Sequence, residues 1–178
     1  MGVSTPIANP PLATIRLATL SDVPGLLSML ARVVAQMQAE GNFQWDSAYP
    51  NRAVLEADIV QNQLWVAEVG GQPAGFSAIT TDQEPTYADV GWDITEPAIV
   101  THRLAVDSLF RGKGVAKALL KQADVIAKER GIAVLRIDTN TQNQATQRLF
   151  PAAGYVYAGE IGLTFRPNLR FLCYEKRL

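Results

Sequence analysis

The stretch Val100–Leu120, VTHRLAVDSLFRGKGVAKALL, decides how the chain is read. It opens with β-branched and apolar residues through Leu104-Ala105-Val106, crosses a mixed connector to Arg111-Gly112-Lys113-Gly114, and continues as a helical pattern. A strand, a glycine turn and a helix in that order gather unpaired main-chain N–H groups and the positive end of a helix dipole at one point. Such a point suits phosphate or pyrophosphate. Gly112 and Gly114 let the backbone approach an anion with no Cβ in the way. Arg111 adds a fork of donors and Lys113 a point charge. Two nucleotide signatures do not fit. Gly-x-x-x-x-Gly-Lys-Ser/Thr is absent, and the dinucleotide fingerprint fails at its third glycine, where Lys117 stands.

Outward from this stretch, the pattern alternates between strands and helices. Thr14–Leu17 reads as a first strand. Ser21 is placed to cap a helix in which Val23, Leu26, Leu27, Leu30, Val33, Val34 and Met37 recur at three-and-four spacing until Gly41. Asn42–Pro50 is aromatic-rich. Asn51 is placed to cap a second helix through about Gln61. Leu64–Val69, Gly70-Gly71 and Ala74–Thr80 form a hairpin signal. A polar, irregular run from Asp82 to Pro97 precedes the central strand, about Ala98–Val106. Lys113–Arg130 is helical and closed by Gly131. A strand at Ala133–Asp138, a helix at Gln142–Phe150 and two last strands, Tyr155–Glu160 and Leu169–Lys176, complete the order βααβββαβαββ. Residues 1–12 carry Pro6, Pro10 and Pro11 and no charge, and read as an extended, poorly ordered lead-in to one domain over 13–178.

Composition bounds the function classes. Charged residues make up 19% and hydrophobic ones 48%, a balance that suits a folded globular chain rather than a disordered one. With 16 basic against 17 acidic residues there is no cationic surplus for nucleic acid, so an anion site must be a local gathering of donors. The single cysteine, Cys173, has no internal partner, which favours a reducing cytoplasm, and its apolar run argues against a reactive thiol. No run approaches the length of a membrane span, the first residues lack the pattern of a signal peptide, and no metal-ligand cluster stands out.

A second block follows the strand Val134–Asp138: Asn143-x-x-Thr146-x-x-Leu149-Phe150-x-x-x-Gly154-Tyr155. Together with Arg111-x-x-Gly114-x-Ala116, it resembles the GNAT (GCN5-related N-acetyltransferase) superfamily. There the first motif reads Arg/Gln-x-x-Gly-x-Gly/Ala and the later helix reads Asn-x-x-Ala-x-x-Leu-Tyr-x-x-x-Gly-Phe. The region Asn42–Ile59 and the ending Tyr174-Glu175-Lys176 are similar to a bacterial subgroup without a settled substrate.

The resemblance implies an α/β (α+β) fold: a mixed, mostly antiparallel sheet of about seven strands with about four flanking helices. Its fourth and fifth strands would splay into a V that takes the pantetheine arm of acetyl-CoA. Leu104, Ala105 and Val106 would offer main-chain groups to that arm. The N–H groups across Arg111, Gly112, Lys113, Gly114, Val115 and Ala116 would hold the pyrophosphate. Asn143 would meet the pantetheine or acetyl end, and Phe150 would pack on the thioester.

The implied reaction is acetyl transfer to a primary amine of a small molecule by direct attack. The alternatives are a peptide or protein acceptor and a non-catalytic acetyl-CoA-binding domain. His102 matches a position where the aralkylamine acetyltransferases of the superfamily carry an active-site histidine, and it would share a strand face with Leu104. A lone strand histidine is equally a packed core residue. Asp138, at the end of the fifth strand, is a second candidate base that could also cap a turn. Phe150 departs from the family's tyrosine and has no proton to give, which leaves Tyr155, Tyr157 and Tyr174 as candidate acids. The acceptor is expected among Trp45, Asp46, Tyr49, Tyr87 and Trp92, with Asp46 and Asp93 available to an ammonium. Family members dimerise through sheet edges or helices, which makes a homodimer an expectation of the resemblance alone.

Overall fold

A computed structural model describes residues 12–178, so the lead-in reading lies, apart from Leu12, outside the described residues. The alternating segments become β1 (Thr14–Leu17), β2 (Leu64–Val69), β3 (Gln72–Thr80), β4 (Ala98–Val106), β5 (Val134–Asn140), β6 (Val156–Leu163) and β7 (Arg166–Arg177). The periodic segments become α1 (Val23–Ala39), α2 (Arg52–Val60), α3 (Val115–Arg130) and α4 (Gln144–Ala152). All seven strands lie in one sheet in the order β1-β2-β3-β4-β5-β7-β6. Among the described residues only β4 and β5 run parallel, joined by the crossover through α3.

Local chemistry sets the ends of the elements. Gly70 and Gly71 both take positive φ (59° and 77°), as a two-residue hairpin turn requires. The side chain of Asn51 accepts the Val54 N–H and starts α2. The start of α1 differs from the sequence reading. Ser21 sits inside a 3-10 turn, Leu20–Asp22, and Asp22 Oδ2 accepts the Thr19 N–H at 2.7 Å while pairing with Arg16. Asp22 can both cap a turn and hold a charge, which serine cannot. The last two strands meet in a tight turn at Thr164-Phe165, so Pro167 lies within β7 rather than in a loop.

The core is laid on both faces of the sheet. Leu26, Met29, Leu30 and Val33 of α1, with Leu55 and Ile59 of α2, pack on Leu64, Val66, Phe76, Ala78 and Ala105. On the other face Leu120, Ala123, Ile126 and Ala127 of α3 pack with Phe150 of α4 on Ile79, Ile99, Leu135 and Ile137. Gly75 lets α3 settle close to β3: a Cβ there would stand 2.6 Å from the Ala105 carbonyl and 2.8 Å from Val115 Cγ1. The N-terminus of α3 is thereby pressed against the end of β4.

Two features of β4 shape the middle of the sheet. Its pairing with β5 stops at Thr101–Ile137, although both strands continue, so among the described residues His102–Val106 have β3 on one side and no strand on the other. The register against β3 also slips, with Phe76 facing Ala105 but Ala78 facing His102. Arg103 takes φ 53° at this bulge, which bends the strand away from β5.

Candidate active site

A cavity of about 550 Å³ fills the opening between β4 and β5. One end is made of backbone. Asp107 turns the chain out of β4: its own N–H donates to the Ala74 carbonyl, and its buried carboxylate accepts from Leu109 N (3.1 Å) and from Arg32 Nη2 (2.7 Å). Gly112 and Gly114 then both take φ 73°, and a Cβ at either would meet nothing among the described residues within 4 Å. The first i to i−4 bond of α3 runs from Ala118 N to the Gly114 carbonyl at 3.0 Å. The N–H groups of Gly112, Gly114, Val115, Ala116 and Lys117 have no backbone acceptor among the described residues. These donors, the positive end of α3 and open space above the glycines together fit a diphosphate.

The donor set differs in detail from the sequence reading. The Arg111 N–H points to the Ser108 carbonyl (3.4 Å) and the Lys113 N–H to the Phe110 carbonyl (3.3 Å), while Lys117, not anticipated, joins the free set. The Arg111 side chain lines the cavity mouth and is clasped by Glu40, the C-cap of α1, at 2.8 and 3.2 Å. Lys113 is not on the wall. It lies along a neighbouring cleft with Lys117 and Lys121.

The walls come from β4, β5 and α4. Leu104, Ala105, Val106, Val115, Ala116, Asn143, Thr146 and Phe150 all line the cavity. Asn143 also caps α4, its side-chain oxygen accepting the Thr146 N–H at 3.2 Å, and the hydroxyls of Thr139 and Thr146 bond at 2.7 Å. Phe150 is buried against Tyr155 and Tyr174, with ring centroids at 6.1 and 5.4 Å. Tyr155, Tyr157 and Tyr174 do not reach the cavity wall. None of the three is placed to give a proton there.

At the other end four separate segments converge, and here the sequence reading is most revised. Trp45 and Tyr49 line the cavity, but Asp46, Tyr87 and Trp92 do not. Asp46 is engaged by the Ala48 and Tyr49 N–H groups and lies 3.6 Å from Arg166. Trp92 is a clamp: its ring meets Tyr87 edge-on at 5.1 Å and carries the guanidinium of the buried Arg136 at 4.8 Å. Arg136 also holds Gln83, the Asp93 carbonyl and Glu175, fixing the whole irregular run against the sheet. Asp93 is taken up by Thr95, both N–H and hydroxyl. Tyr87 is fully buried, and its hydroxyl donates to Asp138.

Both candidate bases reach the cavity wall. Asp138 is pushed up to about 6 by loss of hydration, against the pull of the Tyr87 hydroxyl and with help from the charge of Glu84. His102 has its imidazole pushed down by burial, so it is neutral near pH 7, and its Nε2–H donates to the Asp82 carbonyl at 3.0 Å. It does not share a face with Leu104. Two residues, Arg103 and Leu104, occupy the space opposite Ser77, so His102 and Ala105 fall on the face of Ala78 and Phe76, and Leu104 falls on the other.

Three residues on this wall were not anticipated. Glu84 has no hydrogen-bond or ion-pair partner among the described residues, and burial raises its pKa. Arg103 is held by Asp58 at 2.8 Å through two nitrogens and reaches the Tyr49 hydroxyl at 3.3 Å. Arg166 opens β7, directly after the β6–β7 turn. No motif surrounds any of them. Among the described residues no group of three or more His, Cys, Asp or Glu is placed to hold a metal ion, and no helix is long and apolar enough to cross a membrane.

Comparison with known proteins agrees with this architecture. The model of the acetyltransferase (GNAT) family matches residues 31–155. L-2,4-diaminobutyric acid acetyltransferase of Streptomyces coelicolor is 34% identical over 94 residues, which cover 52% of this chain and 49% of that protein. The chain spans about half the length of the curated relatives it matches. A GNAT-family acetyltransferase from Streptococcus agalactiae superposes with a TM-score of 0.80 at 25% identity, over 96% of this chain and 99% of that one. YncA from Salmonella typhimurium, solved with its cofactor acetyl-CoA, shares the fold with a TM-score of 0.66 at 20% identity, over 93% and 94% of the two chains.

Proposed function

The chain belongs to the acetyltransferase (GNAT) family, and from that premise we propose that it moves an acetyl group from acetyl-CoA to a primary amine of a small molecule. The observation that carries this reading is one cavity with two unlike ends, a cradle of free N–H groups at α3 and carboxylates at the far side. The diphosphate of acetyl-CoA sits on the N–H groups of Gly112 and Gly114–Lys117. Its pantetheine amides lie along the unpaired edge of Leu104–Val106, and its thioester is packed by Phe150 and Asn143. A main-chain N–H of the β4 bulge region faces the thioester carbonyl and stabilises the charge that builds on its oxygen.

The amine arrives protonated and must lose one proton before it attacks. Asp138 takes that proton, being ionised above about pH 6 while still basic enough to hold it. Glu84 stands beside it as the route to solvent, and neutral His102 offers Nδ1 as a second acceptor. Carbon–nitrogen bond formation and carbon–sulfur cleavage follow. The second proton lost from nitrogen goes to the departing thiolate through water, since Phe150 has none to give. The products are the N-acetyl amide and CoA thiol, with one net proton released.

Thiol release with a panel of free amines, alongside calorimetric titration with acetyl-CoA, tests this reading. Free amines turning over supports it. Turnover of peptides alone moves the acceptor to protein. Tight acetyl-CoA binding with no turnover leaves a non-catalytic binding domain, the alternative that Phe150 favours.

A further inference from the structure

We propose that the acceptor is an amino acid, its carboxylate held by Arg166 and its ammonium by Glu84 and Asp138. This rests on the acetyl-transfer reading of the same cavity and names the substrate class that the far end would select.

Arg166 lines the cavity, and its Nε–H is buried with no acceptor among the described residues. A buried guanidinium N–H left unpaired is expensive, and an incoming carboxylate relieves it. The rest of the side chain is already placed for that task. Its guanidinium lies over the Tyr49 ring at 5.7 Å, and the Phe165 ring meets the same ring at a tilt of 52°, with centroids 6.4 Å apart. Asp46 faces Arg166 at 3.6 Å, beyond hydrogen-bond distance and half-exposed, so it offsets the charge only in part. Arg103, the other guanidinium on this wall, is held by Asp58 and Tyr49 and is therefore no rival for a ligand.

The opposite sign is also available. Glu84 is an unpartnered carboxylate on the same wall, and its charge is felt by Asp138. A simple alkylamine would satisfy the carboxylates and leave the Arg166 N–H unmet. A ligand with both a carboxylate and an amine satisfies both ends. Substrates that lack one of two groups a site is built to bind are rejected, because the site's own polar atom is left unpaired.

The test uses matched pairs: L-2,4-diaminobutyrate with 1,3-diaminopropane, L-lysine with 1,5-diaminopentane, and L-phenylalanine with phenethylamine. The wild-type chain should favour the amino acid in at least one pair by about ten- to a hundredfold in kcat/KM, the worth of a charge-assisted hydrogen bond. Arg166→Gln should erase that preference through KM, with the acetyl-CoA Kd unchanged and Arg166→Lys intermediate. Asp46→Asn keeps the oxygen that accepts the Ala48 and Tyr49 N–H groups but removes the competing charge, so it should lower KM for the amino acid alone. A wild-type chain indifferent to the carboxylate in every pair overturns the proposal and leaves the acetyl-transfer reading standing. So does an Arg166→Gln variant that loses both members of a pair equally, the mark of a clamp rather than a receptor. Failure of acetyl-CoA to bind, or of every free amine to release thiol, overturns both.

Discussion

The two ends of the cavity are built from different materials. The α3 end is backbone: five free N–H groups, two positive-φ glycines and one buried aspartate, all within eleven consecutive residues, 107–117. The far end is side chains from the segment 42–49, from Glu84, from His102 and Arg103, and from 163–166, brought together by the β4 bulge, the Arg136 clamp and the β6–β7 turn. A backbone cradle grips any ligand with the right diphosphate and is nearly indifferent to its own side chains. The far end is specific because each contact is a particular side chain.

The largest effect expected is at the cradle. Gly114→Trp places an indole in the open space above the first turn of α3, and acetyl-CoA binding should vanish in calorimetry. Gly114→Ala separates space from strain: the methyl meets nothing, so affinity should largely survive, while a φ of 73° in an L-residue costs about 1–2 kcal/mol of stability. Equal loss of binding in both variants would mean that conformation, not room, makes the cradle.

Next comes Asp138→Asn. The amide keeps an oxygen for the Tyr87 hydroxyl but cannot take a proton, so turnover should fall by about a hundredfold or more with acetyl-CoA affinity unchanged. In the wild type kcat/KM should climb with pH through about 6, as Asp138 ionises, and that limb should disappear in the variant. Stability runs the opposite way. A carboxyl whose folded pKa lies above its ordinary 3.8 binds its proton more tightly when folded, so its contribution is full below that value and lost as pH rises through about 6. A wild-type profile without the limb would pass the role to His102, for which His102→Ala should lower the rate with CoA affinity intact.

At the far end a stability effect should dominate. Asp58→Ala leaves the guanidinium of Arg103 mostly buried without its partner, a loss of about 3 kcal/mol, seen as a lower Tm. Acetyl-CoA affinity should stay near wild type, since the pair stands away from the cradle. A matching loss of affinity would show that the bulge at Arg103 aligns both ends at once.

This contrast also explains what the sequence could disclose. The cradle was legible because its determinants are neighbours in the chain: Gly112, Gly114 and the periodic helix after them define a conformation locally. The seven strands and four helices were legible through alternation and three-and-four spacing, again local signals. The bulge was not. Arg103 looks like any strand residue, and one extra residue on β4 was enough to put His102 and Leu104 on opposite faces. Aromatic composition groups Tyr87 and Trp92 with Trp45 and Tyr49, and charge alone adds Asp46, yet composition cannot separate a ring that faces a cavity from one that clamps a loop. Glu84 and Arg166 gave no signal, since an isolated charge in a loop reads as solvated until the topology encloses it.

The smallest effect expected bears on the one place where a side chain supplements the cradle. Arg111 and Glu40 form an exposed pair, which adds little to stability and is screened by salt. If Arg111 serves the anion, Glu40 is its competitor. Glu40→Gln should then tighten acetyl-CoA binding and Arg111→Ala should weaken it, each by about a few-fold and less at high salt. If the pair only latches α1 across the mouth, the two variants should move affinity in the same direction. The sign of the Glu40→Gln change therefore decides whether the cradle is backbone alone or backbone with one borrowed charge.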